Sequence, residues 1–435
     1  VRPNLLFLLA DDLRFDCLGF MGHPLVKTPN LDALARSGRV FSNAFVTTSI
    51  CVASRANFLT GQWTARNGVV EFTDRLSDDA WEQTYPARLR AAGYTTGFVG
   101  KFGIGDESYV RSCASRFDYW RGRPGQGGPD YIEPDGMHTT ARMGEDCLEF
   151  LRTQTPARPF CLSVSFNAPH ARDGKPREFT PDPRDEALYS SDPIPRPVLA
   201  TDEAFSRLPD SVKTSEARRR WKARFATEEK RQATVRDYLR LVTGIDREVG
   251  RLVATLKERG LYDSTVIVFT SDNGFALGER GLADKWFAFE EDIRVPLLVV
   301  GPGVKPGRSG AMALSVDLAP TLLALAGVPA PETMQGKSLT PILSSGRTPR
   351  GWRRDFYYEH RTRADIIPPC EAVRGERYKY VRWIEPGGRE ELYDLKNDPQ
   401  EARNLAPDPR RGKLLEQYRS RCRTLAQEAA SSPAT

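Results

Sequence analysis

The sequence predicts an α/β fold in which helices cover both faces of a sheet, followed by a small C-terminal α+β subdomain. Three observations predict it. Short apolar runs alternate with helical stretches from residue 4 to about residue 326. Several of these runs stop abruptly at polar residues, as a buried parallel strand does when its carboxyl edge carries chemistry. After about residue 350 the alternation gives way to strand-like runs joined by Pro386-Gly387-Gly388. We therefore expect one large domain over residues 1–350 and a small one over 351–435. A chain of 435 residues, 40% hydrophobic and 28% charged, can bury a large core and is not a disordered chain.

The elements follow in order. Residues 4–9 are continuously apolar and run into Asp11-Asp12. Residues 28–37 read as a turn and a helix, and a second helix runs from Cys51 to residue 60. Residues 81–92 read as helix, and 95–99 as a strand ending at Gly100-Lys101. A strand over 160–166 leads to the Ala168-Pro169-His170 turn. Residues 172–209, rich in Pro, Asp and Arg, lack periodicity and read as a long surface excursion. Residues 216–259 are helical, in two pieces. Strands over 265–270 and 295–300 end at Ser271-Asp272-Asn273-Gly274 and Gly301-Pro302-Gly303, and an apolar helix covers 315–326. Strands over 371–383 and 389–394 and a helix from about 411 make the subdomain, with a frayed tail over 431–435.

Composition excludes several functions. The 63 basic and 57 acidic residues leave only +6, so no nucleic-acid partner is expected. No apolar run reaches the roughly 18 residues of a membrane span. Seven cysteines, scattered and without a CxxC pair, argue against zinc clusters and an evenly paired disulfide framework. Thirteen Lys against fifty Arg suits planar oxyanions but also follows from a GC-rich genome. The first residues already read as a core strand rather than a signal peptide, so export is not read from this sequence.

Asp11-Asp12 and Asp272-Asn273 each follow a strong strand, and Asp78-Asp79 is a weaker third pair. Paired hard oxygens at strand ends suit Ca²⁺ or Mg²⁺, although such a pair also caps turns and helices. Cys51 opens the run Cys51-Val52-Ala53-Ser54-Arg55, followed by Leu59-Thr60-Gly61. With that run the sequence resembles the type I sulfatases of the alkaline phosphatase-like superfamily. The resemblance extends through Thr28-Pro29-Asn30-Leu31-Asp32, Gly100-Lys101, Ala168-Pro169-His170, Lys285-Trp286, Arg294-Val295-Pro296 and Glu391-Leu392-Tyr393-Asp394-Leu395.

The resemblance implies a large mixed, mostly parallel sheet sandwiched by helices, with a small C-terminal antiparallel sheet and helix. It implies a sulfuric ester hydrolase acting on a sulfated carbohydrate in the periplasm or outside the cell. Cys51 would be oxidised to formylglycine by a formylglycine-generating enzyme, leaving six other cysteines. The hydrated aldehyde has two geminal hydroxyls, one to attack sulfur and one to reset the group without an outside acceptor. Asp11, Asp12, Asp272 and Asn273 would hold Ca²⁺, rather than Mg²⁺, together with residue 51. Arg55 would fix the formylglycine hydroxyl, and Lys101 and Lys285 would bind sulfate oxygens. His170 would bind sulfate or protonate the leaving oxygen.

Three positions depart from the family pattern. Gly103 stands where the family usually has His, and His23 and His138 are substitutes for it only by elimination. On the sequence alone, Gly103→His is expected to preserve or raise activity. Arg280 stands where many members have His, which is expected to reshape the leaving-group side of the pocket. Ala53 replaces the commoner Pro. A phosphonate or phosphate ester hydrolase of the same superfamily is one alternative, and a catalytically weak binder of sulfated glycans is another. The excursion at 172–209, with His360 and Arg361, is where sugar specificity is expected.

Overall fold

The computed structural model describes residues 2–125 and 130–431. Most of the expected tail, 432–435, lies outside them. Fourteen strands are described: β1 Asn4–Ala10, β2 Arg39–Phe45, β3 Thr95–Lys101, β4 Tyr119–Arg123, β5 Phe160–Ser165, β6 Thr265–Ser271, β7 Ala276–Leu277, β8 Ala283–Asp284, β9 Leu297–Val300, β10 Gly307–Leu314, β11 Asp355–His360, β12 Cys370–Gly375, β13 Tyr378–Trp383 and β14 Glu390–Asp394. Eight form one sheet in the order β10-β2-β9-β6-β1-β5-β3-β4, with β9 antiparallel to both neighbours and the other pairs parallel. The central strands β6, β1, β5 and β3 run the same way, so their carboxyl ends meet at one edge.

Strand periodicity explains the two layers. Along β1, Leu5, Phe7 and Leu9 enter one core and Leu6, Leu8 and Ala10 the other, because successive side chains point to opposite faces. The first core is covered by the helices Cys51–Thr60 and Leu318–Leu325, through residues such as Val52, Phe58, Leu322 and Leu323. The second is covered by Thr139–Thr153 and the 31-residue helix Glu228–Glu258, through Met143, Phe150, Leu241 and Ile245. Every residue of β1 is buried, which is why the run carries no polar alternation.

The C-terminal strands form a separate antiparallel sheet in the order β11-β12-β13-β14. Its alternation decides how it packs. Phe356, Tyr358, Ala372, Val381 and Trp383 join the core of the large sheet. Tyr357, Val373, Tyr380 and Leu392 face Leu415, Cys422 and Leu425 of the helix Gly412–Ala430. Between the layers Lys379, fully buried, pairs with Glu290 at 2.8 Å and Glu401 at 2.7 Å.

The structure differs from the sequence reading in places. Residues 81–92 form two helices, Asp78–Glu82 and Tyr85–Ala91, because Pro86 sits in the first turn of the second and cannot continue the first. The run 371–383 is a hairpin, with Glu376 and Arg377 between β12 and β13. β2, β4, β10, β11 and the helix Thr139–Thr153 were not expected. The excursion at 172–209 buries Phe179, Tyr189, Ile194 and Leu208, so it is not wholly a surface feature. No helix among the described residues is long and apolar enough to cross a membrane.

Candidate active site

The site gathers where the carboxyl ends of the four central strands converge. β1 delivers Asp11 and Asp12, β6 delivers Asp272 and Asn273, β3 ends in Lys101, and the turn after β5 carries His170. Cys51 is the first residue of its helix, Arg55 lies one turn on, and Lys285 follows β8. All nine of these side chains are buried. The backbone is bent to meet them. Asp12 has φ +66° and donates its N–H to Asp272 Oδ1 at 3.1 Å, while Leu13 N–H donates to Ser271 Oγ at 2.8 Å. Asp284 and Trp286, on either side of Lys285, have φ +70° and +99°. For a bulky residue such as Trp that conformation is costly, and the surroundings hold it. Asp284 is paired with Arg220 and Arg224, and Trp286 O accepts from Tyr358 Oη at 2.6 Å. The same phenol is 2.5 Å from Ser49 Oγ, just ahead of Cys51.

Charge organises the interior. Arg55 donates to Asp272 Oδ2 at 2.9 Å and to Lys101 O at 2.6 Å, contacts Ser165 Oγ, and lies 3.3 Å from Asp11 Oδ2. Lys101 Nζ is 2.5 Å from Asp11 Oδ2, and Lys285 Nζ pairs with Asp12 Oδ1. Cys51 Sγ lies 3.3 Å from both Asp11 Oδ1 and Lys285 Nζ. Burial alone would raise the carboxyl of Asp11, but the charges of Lys101 and Arg55 hold it well below the ordinary range. Asp12 is pushed up to about 7 by burial and by its neighbours Asp11 and Asp272, against the pull of Lys285. Burial also pushes the Cys51 thiol up, so as a thiol it stays protonated and unreactive. Burial and Lys285 lower His170, which is therefore neutral. Its Nδ1 lies 2.6 Å from Ala171 O, a group that can only accept, so Nδ1 carries the proton and Nε2 is a lone pair. That Nε2 faces Asp12 Oδ2 at 3.6 Å.

The donor set fits a hard divalent cation. Asp12 Oδ2 and Asn273 Oδ1 are buried oxygens without a hydrogen-bond partner. Atoms of Asp11, Asp12, Cys51 and His170 lie within 4.8 Å of one another. Facing acceptors of this kind are what a cation satisfies. Asp272 stands behind them, with one oxygen on Asp12 N–H and the other on Arg55.

Other expected residues lie elsewhere. His23 accepts from Val26 N–H at 3.0 Å within its own turn. His138 stacks on Tyr131 and lies 3.0 Å from Thr180 O, so neither histidine replaces the one that Gly103 lacks. Arg280 turns away to Glu291 and Gln400 O and does not line the cavity over Cys51. Asp78 and Asp79 open a helix capped by Ser77 and bind no shared centre with the other pairs. His360 is buried against Thr362 O, and Arg361 pairs with Glu359 and Glu371. Gly103 has φ +74°, and a Cβ there would stand 2.5 Å from Arg55 Cδ. The site is thus closed around the glycine, which reverses the expectation for Gly103→His.

Above Cys51 opens a cavity of about 60 Å³. It takes one small oxyanion and leaves the rest of an ester at the rim. The rim includes Phe72, Asp173, Glu216, Arg220, Trp286, Arg363 and Ile366; of these the sequence marked only Trp286, in the Lys285-Trp286 pair, and Asp173, within the excursion. No single local pattern marks them, because they come from five separate segments. The excursion contributes Asp173 alone of its residues.

Residues 3–328 match the family model described as sulfatase, and residues 278–428 match that of the N-sulphoglucosamine sulphohydrolase C-terminal region. The chain is 30% identical to an N-acetylglucosamine-6-O-sulfatase of Bacteroides thetaiotaomicron, over 93% of this chain and 82% of that one. It is 30% identical to a choline-sulfatase of Rhizobium meliloti, over 94% and 83%. A solved structure in complex with its substrate D-glucosamine-2-N,6-O-disulfate superposes with a TM-score of 0.84 at 28% identity, covering 100% of this chain and 99% of that one. The chain therefore belongs to the sulfatase family of the alkaline phosphatase-like superfamily and is a sulfuric ester hydrolase.

Proposed function

We propose that the protein removes sulfate from a sulfated carbohydrate, using formylglycine made from Cys51 and a bound calcium ion. The observation that carries this reading is the convergence of Cys51, two buried ammonium groups and two unpartnered oxygens at one edge of the sheet. Asp11, Asp12, Asp272, Asn273 and residue 51 would hold Ca²⁺, with Mg²⁺ a poorer match to so many protein donors. Such an ion, when bound, neutralises charge on the ester and makes a hydroxyl at residue 51 more acidic.

The chain's own groups do the rest. Lys101 and Lys285 place two positive charges beside Cys51, where sulfate oxygens would come to lie. Arg55 holds Asp272 and Asp11 in register and keeps the helix start against β3. Water is excluded by the buried walls. His170 holds its Nε2 lone pair toward the site, so it must first gain a proton to act as the acid for a leaving alkoxide. A carbohydrate is favoured by the sulfated-sugar relatives named above. Residues 1–350 would form the catalytic domain and 351–435 a subdomain that completes its rim.

After co-expression with a formylglycine-generating enzyme, the tryptic peptide containing Cys51 is expected to show the aldehyde mass. Sulfate release from sulfated sugars should exceed phosphate release from phosphate and phosphonate esters, and chelation should abolish it. Cys51→Ala should lower release by at least about 10³-fold, the scale of losing a covalent nucleophile. An unmodified thiol in an active preparation would sink the mechanism, and faster phosphonate cleavage would favour the phosphohydrolase reading. Binding of sulfated sugars by the aldehyde form without release would leave a binder.

A further inference from the structure

Three large hydrophobic side chains are exposed among the described residues: Phe72 at 42%, Val198 at 69% and Ile366 at 37%. Two of the three, Phe72 and Ile366, stand at the mouth of the cavity over Cys51. They arrive from segments far apart in sequence, and those segments are tied together. Thr362 Oγ1 donates to Val70 O at 2.7 Å, Arg363 N–H to Glu71 Oε1 at 3.0 Å, and Glu216 N–H to Ile366 O at 3.1 Å. An apolar pair so fixed on an open rim is a platform for the C–H face of a ring.

Arg363 lies in the same rim. Its φ of +52° is uncommon for a residue with a side chain, and its own backbone N–H bond to Glu71 helps hold it there. Its guanidinium differs from its neighbours. Arg220 is locked among Asp173, Asp284 and Glu216, and Lys285 lies deeper, beside Cys51, where it serves the scissile sulfate. Among the described residues the Arg363 guanidinium pairs with Asp365 alone, at 3.3 Å, with both side chains about half exposed or more. Surface pairs of that kind are weak and readily exchanged for a better anion.

We propose that Phe72, Ile366 and Arg363 form a substrate subsite that selects a sugar carrying a second anionic group besides the sulfate to be removed. The ring packs on Phe72 and Ile366, the scissile sulfate fills the small cavity, and the second anion takes the planar guanidinium of Arg363 in place of Asp365. The substrate class is a sulfated saccharide with a further sulfate or carboxylate within one ring of the first. This inference rests on the proposed sulfatase reading of the same site.

The test uses the matured full-length protein and three probes: an aryl sulfate, N-acetylglucosamine 6-sulfate, and glucosamine 2-N,6-O-disulfate. The wild type should favour the disulfate over the monosulfate by about tenfold or more in kcat/KM, the scale of one charge-assisted bond. Arg363→Asn keeps a residue tolerant of positive φ. It should bring that ratio close to one by raising KM for the disulfate, and Arg363→Lys should recover part of it. Phe72→Ala should raise KM for both sugars. Preference of the wild type for the monosulfate overturns the subsite, as does an equal loss on both sugars in Arg363→Asn. Failure to cleave either sugar probe, with or without cleavage of the aryl sulfate, overturns the proposed carbohydrate-sulfatase reading, and the subsite with it.

Discussion

Gly103 shows how much one missing side chain decides. Its positive φ and its closeness to Arg55 leave room for hydrogen only. Gly103→Ala is expected to push Arg55 off Asp272 and Lys101 O and to lower kcat/KM by about tenfold or more. Steady-state kinetics on the variant, with a thermal melt to verify folding, check this, and undiminished turnover would show that Arg55 gives way freely. The carboxylates at this scale were legible in the sequence. Asp11-Asp12 and Asp272-Asn273 follow fully buried strands, and two such pairs together point to a cation site more strongly than either alone, which could be a turn or cap. Arg363 was not legible. The sequence pointed to Arg361, two residues away, because nothing local tells which arginine of Arg361-Thr362-Arg363 turns to the rim.

At the scale of elements, the excursion at 172–209 is pinned by charge as well as by its buried aromatics. Asp182 accepts from Arg184 and lies 3.2 Å from Arg247 of the long helix. Burial raises its carboxyl, but the two arginines outweigh burial and bring it to about 2. A depressed folded value gives stability that is present above the unfolded value near 4 and lost as pH falls toward 2. Asp182→Asn should therefore cost about 1 kcal/mol at pH 7, after screening by solvent, and only a small part of that near pH 2. Denaturant titrations at both pH values read the difference; an equal cost at each would assign it to packing. Strand direction was the part of the elements that could not be read. β9 is as apolar as β6, and a fully buried run is the same forwards and backwards, so its antiparallel setting is decided by the chain that leads to it. β2 and β10 were missed because Ser42, Asn43 and two glycines break their apolar pattern.

Across the whole molecule, the two sheets are joined by a buried charge cluster rather than by apolar packing alone. Lys379 has no exposed surface and satisfies Glu290, Glu401 and Ala288 O. Lys379→Met would leave buried Glu401 without its cation and Glu290 with Arg374 alone, and the expected loss is about 3–5 kcal/mol. Combining it with Glu401→Gln should recover much of that, since Glu290 keeps Arg374, and equilibrium unfolding can measure it; no recovery would place the cost in packing. The phenol of Tyr358 makes the same connection at the site itself, since it comes from the C-terminal sheet yet touches both the approach to Cys51 and the loop of Lys285. The burial of Cys51 carries a last consequence, one of timing. Only 3% of that residue is exposed, at the start of a helix sealed beneath the sheet edge. Under the proposed maturation, an oxidising enzyme has to work on the segment while it is still extended. The life of the active protein would then be decided during its synthesis, and a chain that closes too early would stay a thiol for good.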